Sequence, residues 1–417
     1  MKKKSILLLF VTCLCLSFMA CGQSASQTDS QTIETETIEG QDNTVPLNNG
    51  KEDMDVPDED GADNTQDKED IDRAEEIISS MTLDEKIYQL FLVTPEQLTG
   101  EDQVLTAGPD TKLALENKPV GGVIYFGENI TSASQIKSLL KDMASYAKYP
   151  LFLAIDEEGG RVARLGLADI GFPTYPAMAE VGASNDPNQS RQIGQDLGTN
   201  LREYGFNLDL APVADLVTNP ENSVIGDRSF GSDPALVGQM VLAQVAGFHD
   251  AGFPACLKHF PGHGNTSADS HTGMAASDVD IDTLRARELA PFATGIEAGA
   301  DMVMTGHISL PNIVGDNTPA TVSKTMTTDI LRGEMGFEGV IITDSMRMKA
   351  VSDLYGPGQA SVKAIMAGAD IILMPEDLDA AVAAVKEAVE SGSISQDRID
   401  QSLQRIINLK LKYGIMK

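Results

Sequence analysis

Positive charge is what this 417-residue chain has least of: 31 Lys and Arg against 62 Asp and Glu leave a formal net charge of −31. Gripping nucleic acid requires clustered Lys and Arg that neutralise phosphates, so that class of partner is excluded. Cysteine is scarce as well, with four in all: Cys13, Cys15, Cys21 and Cys256. The first three fall in the N-terminal stretch, so the folded part holds one thiol and forms no intrachain disulfide in any compartment. Cys256 lies in the apolar "PACLKHF" and reads as a small buried hydrophobe. Long apolar runs are also missing. The single candidate, Ile6 to Met19, is short of the roughly 20 residues that a membrane span needs.

That run has the form of an export signal: a basic start (Lys2 to Lys4), the apolar stretch, then Ala20 before Cys21. The Ala-Cys ending resembles a bacterial lipoprotein signal over residues 1–21, which implies lipid on Cys21 and an extracytoplasmic protein anchored to the cell membrane. Residues 22–72 carry sixteen Asp or Glu and two Lys, a balance of −14, with almost no aromatics. Such a segment cannot bury enough apolar area to offset its ordering entropy and reads as a disordered, self-repelling tether.

The folded domain is expected over 73–417. "IDRAEEIISSMTLDEKIYQLFLV" has helical spacing, interrupted near Ser79 and Ser80 and restarted by a capping box of Thr82 with Glu85. Beyond it, short apolar runs ("VGGVIYF", "PLFLAID", "FNLDLAPVADL", "ACLKHF", "DMVMTGHISL", "GVIITD", "DIILMP") alternate with amphipathic helical stretches. Strands apolar on both faces, separated by helices, predict parallel β/α units and a TIM-like (β/α)8 barrel in one α/β domain. Chemistry in such a barrel belongs at the C-terminal ends of the strands. Asp156, Lys258 with His259, His307 and Asp344 all fall there.

Asp344 ends its strand before "SMRMKAV", which reads as a helix start, so on position alone Asp344 is either an N-cap or a carboxylate kept ionised by a helix N-terminus. Asp269 and His271, two residues apart in "DSH", could aim both side chains one way, the carboxylate orienting the imidazole and raising its basicity; a bare pair of this kind is also common in polar loops. Pro261, Gly262 and Gly264 specify a tight turn after Lys258 and His259. "DEEGGRVARL" lacks the phosphate-loop pattern and carries acids beside its Gly pair, so Asp156 with Arg161 or Arg164 better suits neutral polyols. Arg228 on its own reads as a surface ion pair. His259, His263 and His271 with Asp269 have the atoms for zinc, yet no H-E-x-x-H accompanies them.

Together these motifs resemble the glycoside hydrolase family 3 β-N-acetylglucosaminidases of peptidoglycan turnover. "KHFPGHGNTSADSH" matches that group's K-H-[F/I]-P-G-x-G-x4-D-[S/T]-H at every position, and "MTLDEKIYQLF", "IDEEGGRVARL", "VIGDRSFGSDP" and "GVIITDSMRM" follow the same pattern across residues 73–417. The resemblance implies a single barrel domain with no cofactor or metal. It implies Asp344 as nucleophile, His271 as general acid/base polarised by Asp269, and Asp156, Arg164, Arg228, Lys258 and His259 as sugar-binding residues. Glu157, where the family usually has Gln, and Ser345, where Asp or Ala is usual, depart from it without removing a catalytic atom. Retaining hydrolysis through a glycosyl-Asp344 intermediate is then expected, the imidazole replacing the usual second carboxylic acid. The rivals are a β-glucosidase or phosphorylase of the same family, a metal-dependent hydrolase, and a glycan-binding surface lipoprotein without catalysis.

Overall fold

The computed structural model describes residues 63–266 and 273–417. Cys21, the signal and most of the tether lie outside the described residues, as do Asp269 and His271. The first helix, Asp63–Ser80, begins inside the stretch read as tether. Its Ala74 and Ile78 are buried in the core and anchor it. Thr82 then starts the next helix, Leu83–Tyr88, with the expected reciprocal capping to Glu85.

Eight short parallel strands follow: β1 (Phe91–Val93), β2 (Gly122–Ile124), β3 (Phe152–Ile155), β4 (Leu208–Asp209), β5 (Cys256–Phe260), β6 (Met302–Thr305), β7 (Val340–Thr343) and β8 (Ile372–Leu373). Seven coincide with the apolar runs. The eighth, β1, falls on "FLV", read from sequence as the end of a helix; three apolar residues carry no periodicity that separates the two. The strands pair as a five-stranded sheet in the order β8-β1-β2-β3-β4 and a three-stranded sheet in the order β7-β6-β5.

Regular ladder pairing therefore does not run continuously round all eight. Between β4 and β5 the chain passes through Pro212, which has no N–H to give a ladder. The contact there is a parallel bridge of Val213 with Lys258, with the Cys256 N–H donating to Ala211 O at 2.7 Å and the Lys258 N–H to Pro212 O at 3.1 Å. Between β7 and β8 the contact is a bridge of Ile342 with Ile371. Helices separate the strands in sequence and bury one face each. In Ala133–Tyr146, capped by Ser132, the buried residues are Ile136, Leu139, Leu140 and Met143, the spacing of an amphipathic helix.

The starting ends of the strands are closed by buried polar groups reaching from the last helix, Gln396–Lys412. Lys410, fully buried, donates to Gly121 O at 2.9 Å and Gln89 Oε1 at 3.3 Å, and lies 4.8 Å from the centre of the Phe152 ring. Asp301, just before β6, accepts from Lys412 Nζ at 2.6 Å and from the Tyr413 hydroxyl at 2.8 Å. Asp370, just before β8, accepts from Ser402 Oγ at 2.7 Å and pairs with Arg332, Arg398 and Arg405.

Candidate active site

At the opposite ends of the strands lies a cavity of about 470 Å³. Asp156, Arg164, Arg228, Lys258, His259 and Asp344 all line it, together with Glu158, Arg161 and Ser345. All five sugar-binding residues and the nucleophile expected from sequence are thus brought to one place by the ends of β3, β5 and β7 and the loops that succeed β3 and β4. Its apolar wall includes Ile124, Phe126, Leu210, Met304 and Met374.

After β3 the chain turns back as a small hairpin, Glu157–Gly159 against Val162–Ala163. The Gly pair of "EEGG" makes this turn, with φ of 95° at Gly159 and 56° at Gly160, a region open to glycine at little cost. The hairpin thereby aims Glu158 into the cavity and Glu157 away from it. Glu157 is buried and accepts from the Leu165 N–H at 2.8 Å and the Gly166 N–H at 3.0 Å, which holds the loop bearing Arg164. Burial pushes its carboxyl up to about 7, against the opposing pull of those amides. Its departure from the family pattern thus touches loop placement, not the cavity wall.

Glu158 and Lys258 are the centre of the site's charge network. Lys258, in β5 and almost fully buried, puts its ammonium 2.7 Å from Asp156 Oδ1 and 2.6 Å from Glu158 Oε1. Glu158 also takes a two-pronged contact from Arg228, whose Nε and Nη2 donate at 2.8 and 2.7 Å. Burial alone would raise the Glu158 carboxyl, but the charges of Arg228 and Lys258 outweigh it and hold it far below the usual carboxylate range. Burial likewise works against the Lys258 ammonium, and the carboxylates of Asp156 and Glu158 outweigh that and hold its pKa above the ordinary value. Arg228 is therefore a largely covered, bidentate partner of the buried Glu158, its side chain 11% exposed, rather than a surface ion pair. Arg164 approaches Asp156 more loosely, at 3.7 Å. Arg161 turns to the neighbouring loop, where it pairs with Asp227 at 2.6 Å and donates to the carbonyls of Ser223, Val224 and Ile225.

The Lys258–His259 peptide is cis, and both side chains line the cavity. The His259 ring is flanked by two groups of opposite character. Its Nδ1 lies 2.7 Å from Asp215 Oδ2, and its Nε2 lies 3.3 Å from Arg228 Nη2. Asp344 comes directly after β7; its backbone N–H donates to Thr305 O at 2.9 Å, and its Oδ1 accepts from the Ser345 N–H at 2.7 Å. The expectation of a helix opening at Asp344 is not met: the next helix is Lys349–Ser352, so the carboxylate stands on a turn and is neither its N-cap nor at its N-terminus. His307, expected at the site from its place near a strand end, does not line the cavity; it is fully buried and holds this turn, its Nε2 2.8 Å from the Ser345 carbonyl.

Glu158 and Asp215 are the two groups sequence reasoning passes over. Glu158 is hidden by its neighbours in "DEEGG", and only the hairpin separates it from Glu157. Asp215 stands one residue from the end of the apolar "LAPVADL" and could have been found by the strand-end criterion applied to the other acids. Among the described residues no three His, Cys, Asp or Glu side chains are grouped as metal ligands.

A parallel α/β scaffold with a strand-end cavity of alternating carboxylates and cations, walled by apolar side chains, belongs to the class of polar small-molecule sites in which hydroxyls are held from several sides. Comparison places the chain within that class: it belongs to glycosyl hydrolase family 3, whose N-terminal domain profile ("Glycosyl hydrolase family 3 N terminal domain") matches residues 82–409. It is 36% identical over 341 residues to "Beta-hexosaminidase A" of Pseudoalteromonas piscicida, covering 74% of this chain and 56% of that protein. It is 34% identical over 309 residues to "Beta-hexosaminidase LpqI" of Mycobacterium tuberculosis, covering 72% of this chain and 78% of that one. A solved glycoside hydrolase family 3 beta-N-acetylglucosaminidase from Paenibacillus superposes with a TM-score of 0.76 at 38% identity, over 81% of this chain and 63% of that one. The chain thus spans little more than half the length of the Pseudoalteromonas relative.

Proposed function

We propose that the chain is a retaining exo-β-N-acetylglucosaminidase that removes terminal N-acetylglucosamine from peptidoglycan fragments or related β-linked glycans. The observation that carries this reading is the gathering of Asp344 with Asp156, Arg164, Arg228, Lys258 and His259 around one cavity. Asp156 accepts from sugar hydroxyls, Lys258 and the arginines donate to them, and the apolar wall receives the ring's C–H face. Asp344 attacks the anomeric carbon, giving a glycosyl-aspartate and inversion; water then displaces it with a second inversion. His271, oriented by Asp269, protonates the leaving oxygen and afterwards takes the proton of water. The eight strands would form the wall of a (β/α)8 barrel with irregular joints at Pro212 and Ile371. Lipid on Cys21 would hold the domain outside the cytoplasm on the cell membrane.

The test is hydrolysis of nitrophenyl β-N-acetylglucosaminide against the β-glucoside, each with and without phosphate and EDTA. Preference for the acetamido sugar, indifferent to both additives, is expected; preference for the glucoside, a phosphate requirement or chelator sensitivity supports one of the rivals. Asp344→Asn should abolish turnover, and an active Asn variant refutes the nucleophile. His271→Ala should still form the intermediate from an activated aryl glycoside, whose leaving group needs no proton, while failing on natural sugars. Equal loss on both would reduce His271 to a binding residue.

A further inference from the structure

Asp215 is fully buried, lies outside the cavity lining, and has no role in the reaction as described so far. Its carboxylate nevertheless takes three donors. Oδ2 accepts from His259 Nδ1 at 2.7 Å and from the His259 backbone N–H at 3.1 Å, and Oδ1 accepts from the His263 backbone N–H at 2.6 Å. Its own carbonyl accepts from Ser229 Oγ at 2.6 Å, one residue beyond Arg228. One residue therefore fixes the His259 ring, the turn from 259 to 263 and the root of the Arg228 loop.

Two neighbours determine where the proton sits on the His259 ring. A carboxylate only accepts, so Nδ1 must carry the hydrogen; a guanidinium only donates, so Nε2 at 3.3 Å from Arg228 must offer its lone pair. Both contacts require the same neutral form. The cavity wall around Lys258 and Arg228, otherwise built of cations and the carboxylates of Asp156 and Glu158, thus gains an uncharged acceptor in His259 Nε2.

We infer that Asp215 is a positioning residue that sets the tautomer of His259, so that a substrate group entering between His259 Nε2 and Arg228 Nη2, and displacing their 3.3 Å contact, must donate to the ring nitrogen while accepting from Arg228 or Lys258. An unsubstituted hydroxyl does both. An ether or a carbonyl in its place sets a lone pair against His259 Nε2, and a hydrogen makes neither bond, so a site built to hydrogen-bond a hydroxyl rejects these analogues. Naming the group as a sugar hydroxyl rests on the function proposed above; the tautomer does not.

Two measurements test this. In the intact protein labelled with nitrogen-15 histidine, a long-range proton–nitrogen spectrum at neutral pH, with His259 assigned by loss of its signals in His259→Gln, should show hydrogen on Nδ1 and none on Nε2. Hydrogen on Nε2, alone or with Nδ1, overturns the inference whatever the enzyme cleaves. In kinetics, the unaltered protein should lose roughly tenfold or more in kcat/KM on at least one monodeoxy nitrophenyl β-N-acetylglucosaminide. In Asp215→Asn, whose amide cannot satisfy all three donors, that penalty should collapse to about twofold while KM for the parent sugar rises. A deoxy penalty that survives undiminished in a folded Asp215→Asn refutes the positioning role. Inactivity of the unaltered protein on the parent sugar would refute the proposed substrate and leave the spectrum to decide the tautomer.

Discussion

Glu158→Gln is the perturbation that most directly probes the charge network. Glu158 is buried and receives three charged donors at 2.6 to 2.8 Å, two from Arg228 and one from Lys258. The glutamine amide keeps one acceptor and turns an NH2 group toward a cation. Breaking a buried ion pair on one side costs about 3–5 kcal/mol, because the partner is left uncompensated. For a domain of about 345 residues the unfolding entropy is roughly 0.7 kcal/mol per degree, so Tm should fall by about 4–7 °C. Arg228 and Lys258 would also lose their fixed aim, and KM should rise about tenfold, equivalent to roughly 1.4 kcal/mol of binding. The effect has a pH signature. Although burial opposes it, the charges of Arg228 and Lys258 hold the folded carboxyl far below the usual range, whereas the unfolded glutamate titrates near ~4.3. The carboxylate's contribution is therefore complete above about pH 5 and shrinks as pH falls below ~4.3, where the unfolded chain takes up a proton that the folded chain refuses. Thermal melts of both proteins should show a constant gap from neutral pH down to about pH 5 and a narrower one near pH 4. A gap under about 1 °C, or one that widens in acid, would refute the reasoning.

Lys410 gives a pH dependence of the same sign in a higher window, but from a group that burial disfavours. Burial pulls its ammonium down to about 7, so between that pH and ~10.4 the unfolded chain binds more protons and stability climbs with pH. Lys410→Met should match or exceed the unaltered protein in Tm near pH 7 and lose that standing by pH ~9.5; an equal difference at both pH values would contradict it. Gly264→Ala should be severe: an added Cβ would meet Leu216 O at 1.7 Å, so the turn after β5 must move. Loss of several kcal/mol with a raised KM is expected, and a variant that melts and binds normally would show that the loop yields freely.

The legible and illegible parts of this molecule differ for physical reasons. Seven strands could be read because each is a buried apolar run bounded by turn residues, and the capping box at Thr82 could be read because it is local. β1 could not, since three apolar residues next to a helix look like its continuation. The strand-end criterion located Asp156, Lys258, His259 and Asp344 in one cavity, because strand ends converge whatever the loops do. The segment after Asp344 departs from expectation, because its helix-forming residues are drawn into a turn held by His307. Glu158 was invisible for a different reason. Which of two adjacent acids faces a cavity depends on hairpin geometry, and sequence does not display it.

The last helix has a bearing on when the molecule can exist. Lys410, Lys412, Arg398 and Arg405 serve positions near residues 89, 121, 301 and 370, so the buried carboxylates of Asp301 and Asp370, met earlier in the chain by His249 and Arg332, gain the rest of their cations only when this helix arrives. A growing chain would carry all eight strands before their starting ends could be closed. Closing those ends should accordingly follow the pairing of the strands, and copies cut short before residue 396 should be taken by proteases more readily than whole ones.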